Sequence, residues 1–445
     1  MNALPKGWVK TTLGELFEIT SSKRVHQHEW TDSGVPFYRA REIKKLARDG
    51  FVENELFISE ELFLKYAAEY GAPVAGDLMV TAVGTLGECY RVKPDDRFYF
   101  KDASVLWFRS EGKADSEFIA RIFATREVQA QVRKGGGTTV GTYTIGSAKE
   151  TVVPLPPLAE QKRIVVKLDA LNAKSARART ELSRIETLVS RYKQTVLSKA
   201  FSGELTKEWR HDRDWPTPVR LGDVAGSFSY GSAAKSQKTG AIPVLRMGNI
   251  QDGKLDWRDL VYTDDEDEIA KYRLAPGDVL FNRTNSPALV GKTALYNGER
   301  EAIFAGYLIR IVAGPELDAR YLTYALNSPV GREFSWHAKT DGVSQSNISA
   351  SKLKEFAFAV PQLDEQREIV RRIESAFAKI DRLEKESKRA LELVGKLDEA
   401  ILAKAFRGEL VPQDENDEPA ELLLERIRAE RAAAPKAKRV RRAQG

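Results

Sequence analysis

The chain has 445 residues, 42% of them hydrophobic and 30% charged, enough for roughly two to four domains with real cores. Lysine and arginine outnumber aspartate and glutamate by 70 to 64, a formal charge of +6 that permits a polyanionic partner without requiring one. A lone Cys89 excludes a disulfide framework, no apolar run reaches the ~18 residues of a membrane span, and the opening MNALPKGWVK lacks an apolar signal core, so a cytoplasmic protein is expected.

Residues 1–157 mix short β-rich runs such as FYFKDASVLWFR (Phe98–Arg109) with helical stretches such as SEFIARIFATREVQAQV (Ser116–Val132), separated by Gly, Asn and Asp turn signals. This pattern predicts an α+β domain. Its predicted loops carry polar side chains able to contact nucleic acid: Lys23, Arg24, Arg39, Arg41, Thr81 and Thr85, then Thr138 and Thr139 within GGGTTVGTYT.

The phrase PLPPL (Pro154–Leu158) ends this domain, because proline fixes an extended lead-in and blocks helix upstream. A long helix is predicted next, through residues 158–206. Ile164, Leu168, Leu171, Ser175, Ala178, Leu182, Ile185 and Val189 recur at alternating steps of four and three, the period of a coiled-coil seam. Gly203 ends it, as a glycine just past the last turn usually does.

Residues 207–361 predict a second α+β domain, with AIFAGYLIRIV (Ala302–Val312) as strand and DARYLTYALNS (Asp318–Ser328) as helix. Its loops offer Arg246, Asn249, Asn282, Arg283, Asn285, Lys292, Gln345 and Asn347. Arginine can grip guanine O6 and N7, and asparagine or glutamine can grip adenine N6 and N7. After Pro361 a second long helix is predicted across residues 362–412, with Ile369, Ile373, Ile380, Leu383, Val394, Leu397 and Ile401 as its seam and Gly408 as its stop. Residues 413–445 are expected to form a charged tail.

The two halves repeat. VLSKAFSGELT at Val196 returns as ILAKAFRGELV at Ile401, and LAEQKRIV at Leu158 returns as LDEQREIV at Leu363, both shifted by 205 positions without a gap. The domain segments agree only with gaps, as in GVPFYRAREI (Gly34–Ile43) against AIPVLRMGNI (Ala241–Ile250). A rigid length beside drifting sequence suggests a fixed ruler joined to variable readers. Neither helix can bury its stripe alone, so antiparallel pairing is expected, with layers such as Ile164–Ile401, Leu168–Leu397 and Leu182–Leu383. Val165, Leu188, Leu197, Val370, Leu391 and Leu402 flank that seam and are expected to remain available for further helices.

The order domain, long helix, domain, long helix, with KAFxGEL closing each helix and PLPPLAEQKRIV or LDEQREIV opening it, resembles the specificity subunit of type I restriction-modification systems. LVPQDENDEPAELLLERIRAERAAA (Leu410–Ala434) resembles that family's usual ending. The resemblance covers essentially the whole chain. It implies two target-recognition domains reading the two halves of a split double-stranded DNA site. It also implies helices that dock two methyltransferase subunits, and a restriction and translocation subunit that joins them for cleavage. S-adenosylmethionine, ATP and Mg2+ are then expected on those partners and no cofactor on this chain.

Catalytic signatures are weak. SPALVGKT (Ser286–Thr293) has serine where a P-loop needs its first glycine, and no Asn/Asp-Pro-Pro-aromatic methylase motif occurs. Asp95 with Glu111 and Lys113 forms a degenerate nuclease-like pattern, and Cys89 with four histidines offers no zinc spacing. A non-catalytic DNA-binding subunit is the leading expectation. A nuclease with a divergent centre and a coiled-coil scaffold without a nucleic-acid role are the alternatives.

Overall fold

The computed structural model describes residues 4–134, 141–211, 213–343 and 345–433. The chain divides into two compact units, Met1–Arg179 with Glu392–Gly445, and Thr180–Leu391. Each unit holds one α+β reader together with part of each long helix. The helices run Leu158–Phe201 and Leu363–Ala405.

Both readers use one strand plan. In the first, a four-stranded antiparallel sheet takes the order Phe17–Thr20, Val105–Ser110, Leu78–Thr81, Cys89–Arg91. In the second, Ala225–Tyr230, Leu308–Ala313, Val279–Asn282 and Thr293–Leu295 pair in the same order. A smaller sheet lies beside each, with one parallel pairing, Val35–Tyr38 on Tyr99–Phe100 or Ile242–Leu245 on Ile303–Phe304. The entering strand pairs with the leaving one just before each long helix: Val9–Thr12 with Val152–Leu155, and Pro218–Arg220 with Ala357–Ala359. A chain that closes its own ends in this way can be carried as a module.

The copies diverge after the second sheet's leading strand. Arg39 caps a ten-residue helix, Ala40–Asp49, whereas Arg246 caps only the 3-10 turn Met247–Asn249 and a hairpin, Ile250–Gln251 with Lys254–Leu255. Glycines at 248 and 253 disfavour helix in the second copy.

Within the first unit, Ile164 and Leu168 share a core with Ile401, Ala405 and the reader's Phe108 and Phe118, and Arg179 pairs with Asp398 at 2.5 Å. Within the second, Val196 and Ala200 share a core with Ile369 and Ile373, Lys193 pairs with Asp381 at 2.7 Å, and Ser387 Oγ donates to the Leu182 carbonyl at 3.2 Å. Rising numbers on one helix meet falling numbers on the other, so the pairing is antiparallel in both units.

Sequence expectations fail here at four positions and in the tail. Leu383 and Leu397 are 58% and 53% exposed instead of in the seam. The step at those points runs four then three, Ile380–Glu384–Ser387 and Val394–Asp398–Ile401, so an acidic residue turns inward and the leucine outward. Asp398 meets Arg179 there. Leu197 and Val370, expected to be free for partners, are buried in the second reader's core because the helix ends pack against that reader. The tail is also more than charge: within the first unit, helix Ala420–Ala433 buries Ala420, Leu424 and Ile427, its Arg428 meets Glu15 at 3.0 Å, and Arg163 meets Asp417 at 2.6 Å.

The repeated motifs build one joint twice. Gln161 accepts from the Asp115 N–H at 2.8 Å and donates to the Pro156 carbonyl at 2.9 Å. Gln366 accepts from the Asp318 N–H at 2.8 Å and donates to the carbonyls of Pro361 and Glu316 at 2.7 and 2.8 Å. Asp115 and Asp318 are themselves helix N-caps in their readers. At the far helix ends Gly203 and Gly408 have φ of +80° and +73°, the left-handed region, and pack against Trp215 and against Pro5 and Trp8. A side chain there would strain the backbone and meet the indole.

Charge distinguishes the joints. Buried Glu365 accepts from Thr206 Oγ1 at 2.8 Å and from Arg210 at 3.1 Å, a buried ion pair. Its counterpart Glu160 accepts from Trp8 Nε1 at 3.0 Å, and its Oε1 has no partner among the described residues. Burial pushes the Glu160 carboxyl above the usual range. A carboxyl raised in the folded state stabilises most where it is protonated, and that contribution is lost as pH rises through the folded value. Glu160→Gln, which stays neutral, is therefore expected to gain stability relative to the parent as pH rises from the ordinary carboxyl range of about 4. Glu365→Gln, which leaves Arg210 buried without its counter-charge, is expected to lose roughly 3 kcal/mol near neutral pH. Urea unfolding of both variants as pH rises checks the pair; equal losses with no pH trend would contradict the asymmetry.

Candidate nucleic-acid interface

In the second reader, strand Val279–Asn282 delivers Arg283 to a corner where its guanidinium lies 4.8 Å over the Tyr230 ring. Arg283 Nη1 donates to the Gly306 carbonyl at 3.2 Å and Nη2 to Asn347 Oδ1 at 3.0 Å. Asn347 Nδ2 in turn donates to Thr284 Oγ1 at 3.1 Å. A small ribbon, Thr284–Asn285 with Ser346–Asn347 with Thr340–Asp341, carries these groups. Asn285 accepts the Ser286 N–H at 2.8 Å, and Gln345 is exposed beside the ribbon. The structure thus brings Arg283, Asn285, Gln345 and Asn347 together. Stacking and hydrogen bonds hold the arginine plane before any ligand arrives, which lowers the ordering cost of binding.

Two residues of this corner escape sequence reasoning. Tyr230 and Tyr307 are 45% and 49% exposed, and the Tyr307 carbonyl accepts the Arg283 N–H. Both sit in or beside apolar strand runs, where an aromatic reads as core. The available signal is the glycine next to each, Gly231 and Gly306, which lets two backbones approach closely.

Other predicted contacts lie elsewhere. Lys292 donates to Gln251 Oε1 at 3.1 Å, and Arg246 meets Asp259 at 3.2 Å, both outside the tyrosine corner. Asn249 and Asn282 are buried and cannot reach a base edge. Asn249 braces its own turn, accepting from the Arg246 N–H and donating to the carbonyls of Asp256 and Asp259. Asn282 is the last residue of its strand and points polar atoms into the protein without a partner among the described residues.

In the first reader, the corner after strand Phe17–Thr20 holds Lys23, whose ammonium lies 5.4 Å over the Tyr70 ring, and Arg24, paired with Asp102 at 2.9 Å. Arg39 is tied to Glu42 through its backbone N–H, Nε and Nη2. Burial alone would raise the Glu42 carboxyl, but hydrogen bonds from Arg39 and Arg41 hold it at about 2. Arg39 is thereby a helix cap, while Arg41 is shared between Glu42 and Glu55 and keeps an exposed side chain. Thr81 is a further correction. It is buried, donating to the Thr85 carbonyl at 2.5 Å and accepting from the Glu88 N–H at 3.0 Å, so it braces the loop that presents Thr85. Thr138 and Thr139 lie outside the described residues.

The catalytic alternatives find no support in the geometry. Lys113 pairs with Glu111 and, at 3.6 Å, with Glu430 of the C-terminal helix, while Asp95 lies in an exposed turn and makes no bond to either among the described residues. A P-loop turns N–H groups toward phosphate and opens a helix. Here Arg332 occupies the carbonyls of Ala288 and Val290, and strand Thr293–Leu295 follows. Among the described residues no group of three or more His, Cys, Asp or Glu is placed to hold a metal, and no helix is long and apolar enough to cross a membrane.

The family model for the type I restriction modification DNA specificity domain matches residues 5–187 and again 213–393, one match for each reader with its helix. The type I restriction enzyme EcoKI specificity subunit of Escherichia coli strain K12 is 33% identical over 63% of this chain, and the chain spans about 64% of that relative's length. The EcoDI specificity subunit of Escherichia coli is 28% identical over 97% of each chain. The crystal structure of the HsdS subunit from Thermoanaerobacter tengcongensis shares the fold, with a TM-score of 0.61 at 22% identity, covering 92% of this chain and 99% of that one. With two ungapped helical motifs, two readers of one strand order and two matches to one family model, the chain belongs to the type I restriction modification DNA specificity family.

Proposed function

We propose that this chain is the specificity subunit of a type I restriction-modification complex: it reads a two-part duplex DNA site and is not itself catalytic. The observation that carries the reading is the duplicated module. Two readers of identical strand order, each fastened to its helix by the same glutamine and glycine contacts, suit a site read in two halves. Cationic and amide side chains on exposed corners supply phosphate contacts and base-edge contacts, which respectively position and specify. S-adenosylmethionine, ATP and Mg2+ would act on the partner subunits, in cytoplasm.

The helices supply the partner surface. Leu188 and Tyr192 in the second unit are both 58% exposed, one turn apart. Their repeat equivalents in the first unit, Leu393 and Leu397, are 55% and 53% exposed. One exposed apolar doublet per unit, at equivalent positions, fits two copies of one methyltransferase subunit. Val165, Leu391 and Leu402 are half-buried beside the seam and would contribute less.

Two outcomes test this. Mapping modified adenines genome-wide should show one interrupted sequence motif that disappears when the chain is deleted; an unchanged pattern would contradict the reading. Leu188→Glu with Tyr192→Glu should reduce the bound methyltransferase copies from two to one by native mass spectrometry. All four positions changed together should leave none, with helical circular dichroism retained. Stoichiometry that stays at two would place the docking surface elsewhere.

A further inference from the structure

The helix Ala40–Asp49 distinguishes the first reader from the second, and its charge is arranged by face. At about 100° per residue, Lys44, Arg48, Arg41 and Lys45 fall within one arc roughly 100° wide. Glu42, Ile43 and Leu46 occupy the opposite side and are buried. Four cations share the outward face, with the exposed Asp49 at its margin.

Neighbouring groups hold these cations in place. Arg41 donates through Nε to Glu42 and through Nη2 to Glu55, and Arg48 donates through Nε and Nη2 to Glu88. Nη1 of each guanidinium is left without a partner among the described residues. Lys44 Nζ donates to Thr85 Oγ1 at 3.0 Å, joining the helix to the loop that Thr81 braces. A cleft of ≈1100 Å3 runs along the C-terminal end of the helix, and its other walls carry Arg91, Arg121 and Arg133 together with Glu117, which pairs with Arg91 and Arg121. A merely solvated helix face would not account for the fixed guanidinium planes.

We infer that the outward face of Ala40–Asp49 reads base edges in the DNA major groove for the first reader, an inference that rests on the specificity-subunit reading above. A ten-residue helix is about 15 Å long, and the major groove admits an α-helix. Arg41 and Arg48 grip guanine edges through their outer N–H groups, while Lys44 and Lys45 meet phosphates. The second reader has only a 3-10 turn and a hairpin at this place, so the two half-sites are read by different kinds of element.

The test is a binding selection on randomised duplex DNA with the full chain, wild type against Arg41→Lys with Arg48→Lys. Lysine keeps the charge but lacks the planar two-pronged donor. The double variant should lose base preference in one half-site by about tenfold or more, keep the other half-site, and bind random duplex within about twofold of wild type. Preferences unchanged in both halves, or a uniform loss across all sequences, would overturn the reading helix. A wild-type chain that selects no two-part sequence would instead overturn the specificity-subunit reading itself, and the inference with it.

Discussion

A buried glutamine at the start of each long helix holds the rest of the molecule in register. The side-chain amide of Gln161 or Gln366 donates to a proline carbonyl at the end of the reader and accepts from the N-cap of a reader helix. Both are fully buried, so neither bond has water as a substitute, and a missing partner would leave an unsatisfied polar group. Reader and helix meet through backbone atoms, this amide and an apolar core that includes reader residues such as Phe108 and Phe118 or Tyr321 and Phe356, so loops outside that core can change on the same joint. That separation lets recognition loops vary while the spacer motif stays put.

The second contact class, glycine against indole, closes each module at its other end. Gly203 meets Trp215, and Gly408 meets Trp8 and Pro5, so the start of each reader is seated by the end of a long helix. The C-terminal helix adds a clamp found on the first reader. Its apolar face joins that reader's core, and Asp417 and Arg428 pin its ends to Arg163 and Glu15. The two modules share a frame yet differ in charge at the joint and in the element that follows the second sheet's leading strand.

Much of this was legible in the residues, and the failures have specific causes. The helices, their stops and the repeat follow from proline and glycine placement and from an ungapped offset. The seam was misplaced at Leu383 and Leu397 because Glu384 and Asp398 sit one position along and also satisfy a four-three step. Hydropathy prefers the leucine, but Arg179 stabilises the acid at one of those places. Leu197 and Val370 were assigned to a partner because periodicity alone cannot show that a reader covers a helix end. Among the candidate contacts, Arg283, Asn285, Gln345 and Asn347 converge as loop composition suggested. Thr81, Asn249 and Asn282 do not, since a polar residue at a strand end or in a tight turn looks the same in sequence whether it braces the backbone or faces solvent. Tyr230, Tyr307 and, on the helix Ala40–Asp49, Lys44, Lys45 and Arg48 beside the expected Arg41 were missed for the converse reason: aromatics in strands read as core, and basic residues on a short helix read as solvated.

The central claim is that each reader is a closed module, bounded by its entering and leaving strands and read out independently of the other. The most direct measurement is a modified-adenine map of cells whose chain carries a relative's reader between strands Val9–Thr12 and Val152–Leu155, with both long helices unchanged. The account predicts a new sequence in one half of the recognised site and the original sequence in the other. A change in both halves would contradict it.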